Sequence, residues 1–285
     1  MRARATEATP HLERVQILYS WGFFADLLRR MPNLRWVQKM GAGVDDLVGA
    51  WPFGSKVVLT RTDGRLIGTR MVEYVIAAIL DKTSRFDVAR GLQSERRWEY
   101  FDIDSIQDLC IGVAGLGEIG SEIGRVLRNL GADVIGWRRS PVDCPSVRRV
   151  FVGFPELHSF IRECDVLILA LPLTQETKNL FNAEVFKHCR TGVHLINVGR
   201  GAVLDENVLL DACETGRVGH ATLDVFAEEP LPETHPFWSH PQITMTPHIC
   251  GPLIPEKIVP HFLKNYAAFE TGTQMQHVVD VSRQY

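Results

Sequence analysis

The feature that most limits what this chain can become is a six-residue turn, Gly115-Leu116-Gly117-Glu118-Ile119-Gly120. It ends the apolar run over residues 110–115 and opens a helical pattern over residues 118–130. The spacing predicts that this helix buries Ile119, Ile123, Val126, Leu127 and Leu130. Strand, glycine turn and helix in that order form the start of a dinucleotide-binding βαβ unit. Gly115 permits the tight turn, Gly117 lets the backbone approach a pyrophosphate, and Gly120 lets the helix pack on the strand. The unpaired N–H groups of the helix start then face the phosphates. Three glycines also occur in purely structural turns, and the strand–turn–helix context argues against that alternative.

The rest of the chain alternates in the same way. Strand candidates fall at residues 15–19, 34–40 and 56–60, then at 110–115, 133–137, 165–170, 194–198, 220–224 and 243–246. Helical patterns lie between them, including residues 205–215, which predicts parallel α/β architecture. Residues 72–98 read as one long helix or a broken pair, apolar at the start and charged at the end. Such an exposed arm suits a link between domains or a dimer contact. A C-terminal helix over residues 258–270 is expected to fold back on the first domain, with Pro260 tolerated in its first turn.

Composition excludes several classes. A formal net charge of −3 gives no electrostatic case for nucleic acid or an anionic membrane. The longest apolar stretch, residues 166–173, is too short to span a bilayer. The six cysteines, Cys110, Cys144, Cys164, Cys189, Cys213 and Cys250, show no metal-type spacing, so no metal site is expected. They read as reduced thiols, and residues 1–11 lack the apolar run of a secretory signal. The expectation is a cytoplasmic protein.

Cofactor choice is read at the end of the second strand. An NAD site carries Asp or Glu about 20 residues after the glycines, to bond the ribose 2′-hydroxyl. Here the stretch is Trp137-Arg138-Arg139-Ser140, with no carboxylate. Two guanidinium groups suit a 2′-phosphate, so NADP(H) is expected over NAD(H), which stays possible. The alternative is that both arginines face water.

Three further segments follow apolar strands and so lie at carboxyl ends, where open α/β sheets bind ligands. They are Asn197-Val198-Gly199-Arg200-Gly201, Leu223-Asp224-Val225-Phe226-Ala227-Glu228-Glu229-Pro230 and Thr246-Pro247-His248-Ile249. With the glycine turn, they resemble the D-isomer-specific 2-hydroxyacid dehydrogenase family over nearly the whole chain from Val15. Gly41-Ala42-Gly43-Val44-Asp45, Trp137-Arg138-Arg139-Ser140 and the tail from Val279 to Tyr285 resemble the glyoxylate/hydroxypyruvate reductase subgroup.

The resemblance implies two Rossmann-like or flavodoxin-like domains with parallel sheets. A dinucleotide-binding domain would cover residues 76–251, and a discontinuous substrate domain residues 1–75 and 252–285. It implies NAD(P)H-dependent reduction of a small 2-keto acid to the D-2-hydroxy acid, in a homodimer. Arg200 matches the substrate arginine, His248 the general acid and Glu229 its partner, with Glu228 an adjacent competitor. Ala42 and Gly43 match backbone contacts to the substrate carboxylate, and Asp224 a contact to the nicotinamide carboxamide. Leu171, Pro172 and Val198 join the implied cofactor contacts. The chemistry agrees with these roles: hydride addition builds charge on a carbonyl oxygen, where a cation and a proton donor should meet.

Relatives place a further strand and helix before the strand at residues 15–19, so the substrate domain is expected to be truncated at its N-terminus. Two rival activities stay open. One is a sister dehydrogenase for another D-2-hydroxy acid, such as lactate or phosphoglycerate. The other is a non-catalytic dinucleotide-sensing scaffold, because fold alone does not fix function.

Overall fold

The computed structural model describes residues 11–22, 25–48, 51 and 56–283. Residues 1–10 and the last two residues, Gln284 and Tyr285, lie outside the described residues. The chain divides into two compact units, Met1–Leu66 with Leu253–Tyr285, and Ile67–Pro252.

The first unit holds β1 (Ile17–Ser20), α1 (Ala25–Arg29), β2 (Trp36–Lys39), α2 (Asp45–Val48) and β3 (Val58–Thr60). The strands pair in parallel in the order β1-β2-β3, with Trp36 opposite both Ile17 and Val58. The central strand β2 is buried at every position, and Leu28, Val37, Leu47, Leu59 and Val279 pack into one core. The C-terminal helix, Pro255–Thr271, belongs to this unit. It starts at Pro255, so Pro260 sits in the second turn rather than the first as expected. Glu256 and Pro260 are both exposed, so the carbonyl that loses its N–H partner there stays hydrated.

The segment expected as a helix from residue 72 begins earlier, as α3 (Gly64–Thr83). Asp63 caps it, its carboxylate accepting the Arg65 N–H at 2.9 Å. The helix breaks at Arg85, which takes a left-handed conformation (φ 50°), and resumes as α4 (Phe86–Ser94). Helix α4 buries none of its residues. Beyond it Trp98 and Tyr100 are 92% and 95% exposed.

The second unit continues with β4 (Cys110–Ala114), α5 (Glu118–Asn129), β5 (Asp133–Arg138), β6 (Arg149–Val152), α6 (Leu157–Glu163) and β7 (Val166–Leu169). It ends with α7 (Ala183–Phe186), β8 (Val193–Asn197), α8 (Glu206–Glu214), β9 (Val218–Leu223) and β10 (Ile243–Met245). All seven strands are parallel, in the order β10-β9-β8-β7-β4-β5-β6. The connection reverses direction between β4 and β7, which opens a crevice at their carboxyl ends. Strand β6 has no counterpart among the expected strands. It is an edge strand that buries Phe151 and exposes Arg149, a mixture that hides it from an apolar count.

Helix α5 buries two of the five residues expected, Ile123 and Leu127, on a face rotated from the expected one. Its buried residues are Gly120, Ile123, Gly124 and Leu127, while Leu130 is 42% exposed. Two glycines complete an i, i+3, i+4, i+7 stripe and bring the helix close to the strands. Counting only apolar side chains rotates the expected face toward Ile119, Val126 and Leu130.

Candidate active site

The glycine turn lies at the carboxyl end of β4, at the switch point. Gly115 has φ +102°, and a side chain there would also strike the Ala170 carbonyl. A methyl group on Gly120 would run into the Gly115 carbonyl, so the start of α5 packs directly on the turn. Gly117 is exposed, with nothing within 4 Å of where its Cβ would be. Glu118 and Ile119 are half-buried, and Leu116 is buried against Gly136 of β5.

The flanking strands β5 and β7 place the other cofactor candidates. Trp137 is 2% exposed, and its indole N–H donates to the Gly153 carbonyl at 2.8 Å. Its side chain packs into the core. Arg138 follows it with a buried Nε that has no hydrogen-bond partner in the protein. A buried, unpaired guanidinium N–H is costly unless an anion reaches it. Arg139 is exposed and donates to Glu176 at 2.9 Å, and Ser140 is exposed. Leu171 is buried beside Gly115, and Pro172 is exposed, with its carbonyl accepting from Thr177 Oγ1 at 2.7 Å.

Strand β8 ends at Asn197, a residue to which the sequence assigned no role of its own. Its side chain accepts from Gly199 N–H at 3.1 Å and donates to the Arg200 carbonyl at 3.2 Å, which fixes the turn carrying Arg200. Val198 is buried and donates to Leu169 O. Arg200 Nη1 donates to the Gly199 carbonyl at 2.9 Å.

His248 follows β10 in a left-handed conformation, φ 54°. Its Nδ1 lies 2.8 Å from Glu229 Oε2. Glu229 Oε1 also accepts the Phe226 N–H at 3.1 Å, whereas Glu228 is exposed. Burial pushes the Glu229 carboxyl up, but hydrogen bonds from His248 and Phe226, with the charges of His248 and Arg200, outweigh it and hold it below its usual value. An ionised carboxylate only accepts, so Nδ1 carries the proton in this bond and Nε2 is left for a substrate.

Asp224 is fully buried. Its carboxylate accepts from Thr246 Oγ1 at 2.5 Å, Ile249 N–H at 2.9 Å and Cys250 N–H at 3.0 Å. Its carbonyl accepts the His248 N–H at 2.9 Å. Asp224 thus organises the turn on which His248 rides. Ala42 and Gly43 lie in the first unit, half-buried in the link between β2 and α2.

The sequence profile of the D-isomer specific 2-hydroxyacid dehydrogenases, NAD binding domain, matches residues 76–250. The chain belongs to this family. As a D-2-hydroxyacid dehydrogenase family member, it is an oxidoreductase of the NAD(P)-dependent class. It is 36% identical over 263 residues to a glyoxylate/hydroxypyruvate reductase A from Serratia proteamaculans, covering 90% of this chain and 83% of the relative. A D-isomer specific 2-hydroxyacid dehydrogenase from Xanthobacter autotrophicus Py2, solved with NADPH and MES, superposes with a TM-score of 0.91 at 34% identity, covering 100% of this chain and 90% of that one. An NADPH-dependent glyoxylate/hydroxypyruvate reductase from Sinorhizobium meliloti, solved with NADP and sulfate, gives 0.89 at 31% identity, covering 95% and 86%.

Proposed function

We propose that this dehydrogenase reduces a small 2-keto acid, of the glyoxylate or hydroxypyruvate kind, to its D-2-hydroxy acid with NADPH. The observation that carries this reading is the 2.8 Å contact between His248 and an ionised Glu229, at the carboxyl edge that also holds Arg200. Glu229 keeps one His248 proton on Nδ1 and leaves Nε2 facing the substrate, and the doubly protonated ring would give its Nε2 proton to the substrate oxygen. Arg200 anchors the carboxylate and stabilises the charge that grows on the oxygen. The family resemblance also assigns backbone contacts to substrate at Ala42 and Gly43. NADPH, when bound, supplies the hydride.

The residues present fit that cofactor. The open backbone at Gly117 leaves room for a pyrophosphate, and the buried, unpartnered Arg138 Nε suits a 2′-phosphate. Arg139, held by Glu176, would join by exchanging one anion for another. Relatives of similar structure solved with NADPH or NADP support the same choice. The exposed Trp98 and Tyr100 beyond α4 support a homodimer built on that arm. The six free cysteines support a reducing, cytoplasmic setting.

The test is the initial rate of NADPH oxidation with glyoxylate, then hydroxypyruvate, beside NADH. Fast turnover preferring NADPH is expected, and Arg138→Asp with Arg139→Ala should move the preference toward NADH. Tight dinucleotide binding with no turnover on either acid would overturn the substrate reading and favour another keto acid or a sensing role.

A further inference from the structure

Helix α3 sends one side chain into the network beneath His248. Tyr74 Oη lies 2.7 Å from Thr246 Oγ1, across 172 residues of sequence. Thr246 has one hydroxyl proton, and it goes to the Asp224 carboxylate at 2.5 Å. The Tyr74–Thr246 contact therefore has Tyr74 as donor and Thr246 as acceptor. The order of donation runs from Tyr74 to Thr246 to Asp224. Asp224 in turn gathers the N–H groups of Ile249 and Cys250, the two residues after His248.

We propose that Tyr74 is a positioning residue for His248, acting through Thr246 and Asp224 to hold the imidazole against Glu229. The turn needs such a hold because His248 has φ 54°, a left-handed conformation unfavourable for a non-glycine residue. Asp224, with no exposed surface, depends on protein donors alone, and Thr246 supplies one of them only while its own proton points inward. Tyr74 fixes that direction. Burial, with the nearby Asp224 and Cys250 adding to it against the Thr246 bond, pushes the Tyr74 hydroxyl up to about 12, so it keeps its proton across the working range. The charged and titratable groups facing His248 and its turn include Glu229, Arg200, Asp224 and Cys250, and the donor to Thr246 Oγ1 is Tyr74.

The inference rests on His248 being the acid proposed above, and the experiment separates the two. Tyr74→Phe keeps the ring and removes the donor. It is expected to lower kcat about tenfold while the keto acid KM and the NADPH Kd stay within about twofold, the pattern of a group felt only in the transition state. Thr246→Val should match it, Thr246→Ser should retain most activity, and Tyr74→Phe with Thr246→Val should be no worse than Thr246→Val alone. A second readout needs no turnover. In alkaline buffer, the long-range 1H–15N spectrum of histidine-labelled protein, assigned with His248→Gln, should show the His248 proton fixed on Nδ1 in the parent. In Tyr74→Phe it should spread over both nitrogens.

An inactive parent whose His248 ring is fixed, and is released by Tyr74→Phe, would sink the proposed reaction and keep the relay. An unchanged kcat and an unchanged ring in Tyr74→Phe would overturn the relay, whatever the parent does. Should Tyr74→Phe fail to fold, the Thr246→Val and Thr246→Ser pair decides, and equal rates and spectra in those two overturn it.

Discussion

Two regions of the second unit use histidine in opposite ways. Inside the sheet, His194 of β8 and His220 of β9 are 7% and 8% exposed, with ring centroids 5.2 Å apart. Each is bonded to a threonine on the next strand, His194 to Thr222 at 3.0 Å and His220 to Thr244 at 3.1 Å. At the carboxyl edge, the His248 side chain is 38% exposed and bonded to a carboxylate. A hydroxyl partner in a dry site leaves no reason to take up a proton. Burial, then the neighbouring imidazole and Lys82, push His194 down to about 3, and burial with Lys82 pushes His220 down to about 4. The sheet histidines are neutral packing residues, whereas the edge histidine has a carboxylate partner and a face open to a ligand. Access and partner, rather than residue type, separate the two.

The sharpest attempt to break this contrast is a pair of substitutions. His248→Ala should lower turnover roughly a hundredfold or more, the order expected for losing a general acid. His194→Gln should leave turnover near the parent value. Steady-state rates on both would erase the distinction if His194→Gln proved as damaging as His248→Ala.

The next effect appears in stability. An unfolded imidazole takes a proton near pH 6.5, but the folded His194 resists until about 3. The unfolded state therefore binds more protons as the pH falls. The native state keeps its full margin above pH 6.5 and loses it progressively below. Between pH 6.5 and 5 the His194 contribution to that loss is about 2 kcal/mol. Urea titrations at both pH values should show His194→Gln losing less than the parent over this interval. Equal losses would mean that His194 is not held neutral by burial.

The smallest effect concerns the threonine partners. Thr244→Val removes the bond to His220 and should cost about 1 kcal/mol of stability without touching turnover. A drop in kcat with no change in urea midpoint would mean the sheet pair communicates with the edge after all.

What the sequence disclosed follows the same line. Features confined to one strand end were readable. The glycine turn, Arg200, Glu229 and His248 each sit where an apolar run meets a turn, and the structure brings His248 and Glu229 into contact. Features that depend on a third element were not. The burial of Asp224 requires β10 and the turn after it, and the donor to Thr246 comes from a helix 172 residues away. The buried face of α5 was only partly legible because Gly120 and Gly124 carry no hydrophobic label, although both are buried. Strand β6 escaped because an edge strand needs only one buried side chain, Phe151, to belong.

The glycines beside Arg200 have a consequence for how such a site persists through descent. Any side chain on Gly199 would meet the Leu171 backbone, and any on Gly201 the backbone of Phe226 and Ala227. The ends of β7, β8 and β9 are thus joined main chain to main chain, with no side chain in the seam. Core residues on either side can be exchanged over generations without passing their changes in shape through this joint. The guanidinium of Arg200 is mounted on this joint, so its aim rests on main-chain contacts rather than on the fit of core side chains.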